Sequence, residues 1–204
     1  NEDATYGTCW GMKEFLDGWW KKLIVVGVQC APDQRRMSEY CPFDMNVSFF
    51  GDVQGRGEET MQWLVNSLKP HIDKTYRTYK RRECTAIAGS SMGGMMSLYG
   101  VIHYNTVFSK AAVVSPAIGN AEEHFLQELK EHTLKPDTKV FFSWGTDEWK
   151  GHSMEGLSKV IYRLEKEIQR QWAVTYIMCQ KGGVHNEASW RRQIGTWMQF
   201  LWAD

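Results

Sequence analysis

Apolar residues along this chain come in two rhythms. Short unbroken runs, KKLIVVGVQ at 21–29, TAIAG at 85–89, KAAVVSPA at 110–117, KVFFSWG at 139–145 and AVTYIMCQ at 173–180, are continuously hydrophobic rather than alternating, the pattern of strands buried on both faces of a sheet. Between them lie segments of helical period. At 60–76, Met61, Leu64, Val65, Leu68 and Ile72 share one face, with Pro70 expected to kink the helix or end it early. The segments 92–104, 121–133 and 186–202 read as further helices. At 155–172 the stripe is plainest: Leu157, Val160, Ile161, Leu164, Ile168 and Trp172 on one side, Glu165, Lys166 and Glu167 on the other. Strands that alternate with helices predict an α/β fold, a mainly parallel sheet covered by helices on both faces. There is no internal repeat, low-complexity linker or composition break, so residues 1–204 read as a single domain.

Composition narrows the class of partner. The 204 residues carry no net charge and a pI near 7.2, which gives neither nucleic acid nor an anionic membrane surface a footprint. A small neutral or modestly polar ligand is expected instead; no apolar run approaches the roughly 20 residues of a membrane span, and NEDATYGTCWG is not a signal peptide. Cys9, Cys30, Cys41, Cys84 and Cys179 are odd in number, scattered and without a CxxC pair. They predict no disulfide framework and no metal site, and favour a reducing, cytoplasmic setting, with secretion the alternative if an N-terminal segment is missing. The oligomeric state is not encoded in any pattern here.

Candidate chemistry sits just after the strands, where ligands bind in parallel sheets. TAIA is followed by Gly89-Ser90-Ser91-Met92-Gly93, which fits G-x-S-x-G in one register, with Ser91 at its centre. The glycines let strand and helix approach closely, and the turn presents the hydroxyl at the head of a helix. There the helix dipole and the N–H of Met92 can stabilise an oxyanion. KVFFSWG is followed by Thr146, Asp147 and Glu148; AVTYIMCQ is followed by a Gly182-Gly183 loop carrying His185. Nucleophile, acid and histidine thus fall in the order Ser, Asp/Glu, His, each behind its own strand, the order of α/β-hydrolases. A serine hydroxyl needs an imidazole to take its proton, and the imidazole needs a carboxylate to fix its tautomer. That chemistry requires no metal and no cofactor. Trp149 and Trp190 flank the acid and the base, either walling an acyl or sugar pocket or packing the core.

The pieces IVVGV, RRMSEYCPF, LKPHIDKTYRT, AGSSMGGMMSLYG, FSKAAVVSPA, FFSWGTDE and GGVHNEASWRRQ together resemble the esterase D family of α/β-hydrolases. It includes feruloyl and acetylxylan esterases, siderophore esterases, S-formylglutathione hydrolase and mycolyltransferases. The resemblance spans nearly the whole chain and implies Ser91 as nucleophile, His185 as base and Glu148 as acid, three residues after Gly145, with Asp147 in reserve. It implies a serine carboxylester hydrolase acting through an acyl-enzyme, on carbohydrate-linked acetyl or hydroxycinnamoyl esters first. Siderophore esters, thioesters, acyl transfer, or a catalytically silent binding module are the alternatives. One part of the family pattern is missing: the upstream HG or HDG motif that supplies a second oxyanion donor. NEDATYGTCWGMKEFL looks like the segment just downstream of it, so the expectation is a fold without its first N-terminal strands, leaving IVVGV as an exposed sheet edge.

Overall fold

Along the chain, the described residues of this computed structural model, 9–33, 35–47, 51–149 and 152–203, begin with α1 (Met12–Asp17) and α2 (Arg35–Glu39). A small antiparallel hairpin follows, β1 (Met45–Val47) and β2 (Gly51–Val53), then α3 (Gly57–Trp63), which passes through a π turn at Leu64–Leu68 into α4 (Lys69–Thr75). The rest is a regular βα alternation: β3 (Ala86–Ser90), α5 (Met92–His103), β4 (Lys110–Val114), α6 (Glu122–Glu131), β5 (Lys139–Gly145), α7 (Glu155–Arg170) and β6 (Val174–Gln180). Two helices close it, α8 (Glu187–Arg191) and α9 (Ile194–Trp202).

β3 to β6 form one parallel sheet in sequence order, each strand beside the next, with Ala86 opposite Lys110, Lys110 opposite Lys139, and Lys139 opposite Val174. In β4 and β5 the unbroken apolar runs are explained by burial on both faces, whereas the outer strands β3 and β6 are only partly buried. Ala111, Val113, Val140 and Phe142 join the core beneath α5, α6 and α7, while the alternate residues Ala112, Val114 and Phe141 pack under α1, α8 and α9 with Trp10, Ile194, Trp197 and Leu201. Because every strand runs the same way, the segments that follow β3, β4, β5 and β6 all emerge at one end of the sheet, and the site is built there.

Four expectations need correction. The run KKLIVVGVQ forms no strand: Ile24, Val25, Val26 and Val28 are exposed, and β3 is one of the two outer strands of the sheet among the described residues. A continuous apolar run signals burial, but a strand also needs a ladder partner and a covering layer, and the described residues offer this one neither. The residues expected just downstream of a missing motif, 1–8, lie outside the described residues. Pro70 does not end its helix; the π turn ahead of it absorbs the lost N–H and the clash with the preceding turn. Trp172 leaves the predicted stripe. Val160, Ile161, Leu164 and Ile168 are buried, but the helix stops at Arg170 and Trp172 takes φ 67° on the turn into β6, which leaves it 80% exposed. Finally, the predicted helix 186–202 is two helices, broken where Gln193 N–H donates to the Trp190 carbonyl and Thr196 N–H to that of Gln193.

Candidate active site

Ser91 occupies the corner between β3 and α5 with φ 57° and ψ −121°, a strained backbone for a residue with a Cβ. The corner is held on all sides. Ser91 N–H donates to the Val114 carbonyl (3.0 Å), and its own carbonyl accepts from Met95 (3.1 Å) and Ala117 (3.0 Å). A Cβ on Gly89 would lie 2.5 Å from the backbone of Gly93, and one on Gly94 would lie 2.9 Å from the Val114 oxygen, whereas Gly93 itself has room for one. The tight positions are therefore Gly89 and Gly94, with Gly93 presenting the backbone that Gly89 must approach. Met92 opens α5, and in its first turn the N–H groups have no intrahelical acceptor.

The loops after β5 and β6 are laced to each other. Thr146 N–H donates to the Gln180 carbonyl (3.0 Å), Asp147 N–H to that of Gly183 (2.9 Å), and Gly182 N–H to Thr146 Oγ1 (2.8 Å). A Cβ on Gly145 would sit 2.2 Å from the Gly183 oxygen. Gly145→Ala is accordingly expected to push the two loops apart and to lower both thermal stability and any catalytic turnover at this rim, the former by about 1–3 kcal/mol, as forced overpacking does; Gly93→Ala, with open space, is its control. Chemical denaturation and initial rates check both.

Within this laced corner Glu148 is buried, its side chain 1% exposed. Oε1 accepts from Gly145 N–H (2.6 Å) and from Ser115 Oγ (2.5 Å), and Oε2 lies 3.0 Å from His185 Nδ1. Asp147 points its carboxylate into solvent and is tied down through its backbone alone. His185 is gripped by two indoles: Trp149 stacks on it at 4.9 Å and Trp190 meets it edge-on at 5.1 Å. Trp190 is buried, so it packs rather than walls an open pocket, while Trp149 is 43% exposed. Downstream, Asn186 caps α8 by accepting from Ser189 N–H (2.9 Å), and Ser189 Oγ accepts from Val184 N–H (3.0 Å), which pins the histidine loop from behind. Between Ser91 Oγ and His185 there is no hydrogen bond.

Ser115 is the residue that sequence reasoning passed over. It follows β4, holds φ 43°, accepts from Trp190 Nε1 (2.9 Å) and donates to Glu148. The available signal was its place: a small polar residue at a strand's carboxyl end, on the same rim as Ser91, Glu148 and His185. Nearby, desolvation and then the Glu148 charge raise the Cys179 thiol above its ordinary value, which keeps it protonated at neutral pH and a poor nucleophile.

A parallel sheet with a serine elbow after one strand, a buried acid after another and an acid-bound histidine after a third is the arrangement of an α/β-hydrolase fold. The family model described as "Putative esterase" matches residues 6–200, and the chain belongs to that family. Over 191 residues it is 21% identical to "Uncharacterized protein YbbA" of Bacillus subtilis, covering 89% of this chain and 74% of that one. Among solved structures it is similar to the siderophore hydrolase EstA from Aspergillus nidulans (TM-score 0.61, 14% identity, 80% of this chain). A ferulic acid esterase is also similar in fold (TM-score 0.55, 16% identity, 79% of this chain). The chain spans 66% and 63% of the lengths of those two structures. Among the described residues no helix is long and apolar enough to cross a membrane.

Proposed function

We propose that this chain is a serine carboxylester hydrolase in which Ser91 forms the acyl-enzyme, His185 is the general base and Glu148 orients it. The observation that carries the reading is the Glu148–His185 pair. A carboxylate with two fixed donors on one oxygen leaves the other to receive Nδ1–H, and that sets the tautomer in which Nε2 is the free base. Nε2 then takes the Ser91 proton as Oγ attacks the ester carbonyl. The charge that develops on the carbonyl oxygen is met by the Met92 N–H and the head of α5. Collapse of the tetrahedral species expels the alcohol, which receives the proton from Nε2, and water repeats the cycle to release the acid. Ser115 and Trp190 act through Glu148 and His185 as positioning residues.

For the substrate, the half-exposed indole of Trp149 over the imidazole favours a flat, unsaturated acyl group beside the nucleophile. Hydroxycinnamoyl esters of carbohydrates lead, with carbohydrate acetyl esters beside them; the likeness to a ferulic acid esterase supports this order. Siderophore esters are the second reading, supported by the likeness to EstA. The test is labelling with a fluorophosphonate followed by peptide mass mapping, together with rates on methyl ferulate, acetylated xylan and a ferric siderophore ester. Adduct on Ser91 and fastest turnover of methyl ferulate are expected. No adduct on Ser91 would instead mark the chain as a silent hydrolase fold, and preference for the siderophore ester would reverse the order of substrates.

A further inference from the structure

At the far end of α5 from Ser91, two imidazoles converge on one carboxylate oxygen. His103, the last residue of α5, places Nδ1 3.0 Å from Glu128 Oε2, and His132, just past the end of α6, places Nε2 3.2 Å from the same atom. The three donor atoms lie within 4.8 Å of one another, and among the described residues no other group of three or more His, Cys, Asp or Glu side chains is so arranged. We propose that His103, Glu128 and His132 bind a divalent transition-metal ion, zinc in the first instance, and so fasten the end of α5 to the end of α6.

Geometry comes first. Ligand atoms about 2.0–2.1 Å from zinc and tetrahedrally disposed lie roughly 3.3 Å apart, close to the 3.0 and 3.2 Å found here. Glu128 and His132 stand one helical turn apart, with His132 N–H donating to the Glu128 carbonyl (2.9 Å), so this pair is set by the helix itself. The His103 ring is fixed by stacking on Tyr99 at 5.0 Å. Two imidazoles and one carboxylate are the donor set zinc accepts in three-ligand sites, with water in the fourth position.

Electrostatics point the same way. α5 and α6 are 12 and 10 residues long, and both end here, so the negative ends of two helix dipoles meet at the cluster. A second carboxylate backs it. Glu58 accepts from the Tyr99 hydroxyl (2.8 Å) and the Tyr104 hydroxyl (2.7 Å). The spot thus favours a cation. A helix of 12 residues is about 18 Å long, so the ion would sit well away from Ser91 and act on the packing of α5 rather than on the ester.

Protein freed of metal with EDTA and titrated with zinc chloride in a calorimeter is expected to bind one equivalent, and saturation to raise Tm by about 5 °C. His132→Gln and Glu128→Gln are each expected to weaken zinc binding roughly tenfold or more, since even outer partners of metal ligands cost that much. Cobalt substituted into the unaltered protein is expected to give the visible spectrum of a tetrahedral nitrogen and oxygen site, without the near-ultraviolet band of a cobalt–thiolate bond. This reading holds whether or not the variants fold. A thiolate band, zinc affinity unchanged in His132→Gln, or no zinc heat and no Tm shift would each overturn the proposal, the last leaving Glu128 as a hydrogen-bonded staple between two imidazoles.

Discussion

Ser91→Ala is expected to fold like the parent protein and to lose ester hydrolysis by on the order of 10⁴-fold or more in kcat. The size of the loss follows from the chemistry. Without Oγ there is no acyl-enzyme, and the oxyanion donors at the head of α5 can assist only a direct attack by water. The fold survives because the corner is held through backbone bonds, from Ser91 N–H to Val114 and from Met95 and Ala117 to the Ser91 carbonyl; alanine keeps all three. Ser90→Ala should cost far less, since Ser90 closes β3 one residue before the elbow. p-Nitrophenyl acetate turnover with far-ultraviolet circular dichroism checks both. If Ser90→Ala proves the more damaging change, the nucleophile has been assigned one residue too late.

Glu148→Gln is the second large effect, with kcat lowered by roughly 10³- to 10⁴-fold, as when a triad carboxylate becomes an amide. The amide can satisfy at most part of what the carboxylate does. If its oxygen accepts from Gly145 and Ser115, its NH₂ faces His185 Nδ1 and forces the wrong tautomer; if it turns round, two buried donors lose their acceptor. That second arrangement costs about 1–3 kcal/mol of stability as well. Asp147→Asn leaves the backbone bond to Gly183 in place and should change kcat little. Kinetics and urea denaturation of the two variants separate these outcomes, and an Asp147→Asn protein as impaired as Glu148→Gln would exchange their roles.

Much of this arrangement was legible in the sequence, for a physical reason. Strands buried on both faces have no choice but to be apolar throughout, so β4 and β5 stand out against the amphipathic helices beside them, and the half-buried β3 and β6 share enough of that composition to be read with them. Parallel connectivity then sends Ser91, Glu148 and His185 to one rim. What stayed hidden depends on contacts between distant segments. The LIVVGV run has strand composition, yet pairing is decided by what lies alongside. Ser115 looks like any serine before a proline until Trp190 and Glu148 are folded onto it. The break between α8 and α9 depends on Trp190 turning toward His185 while Ile194 turns into the core, and the convergence of His103 with Glu128 and His132 joins two helices across 25 residues or more. The extra constraint on Gly94 is of the same kind, because it comes from Val114 at the end of the next strand and Pro116 just beyond it.

Among the described residues the sheet has two outer strands, β3 and β6, and each leads into a residue of the site. In a parallel ladder, alternate amides point to opposite neighbours, so β3 has half of its amides protected by β4 and the other half turned away from the sheet. β5 has strands on both sides and carries the loop that bears Glu148; β6 is bound to it along seven residue pairs and carries the loop that bears His185. Amide hydrogen exchange should therefore be slowest in β4 and β5 and faster in the outer strands β3 and β6, with Glu148 rooted in a late-opening strand and Ser91 and His185 in strands that open earlier. A further strand or a ligand laid along β3 would slow its exchange, and Ser91 would gain order without a single contact to its own hydroxyl.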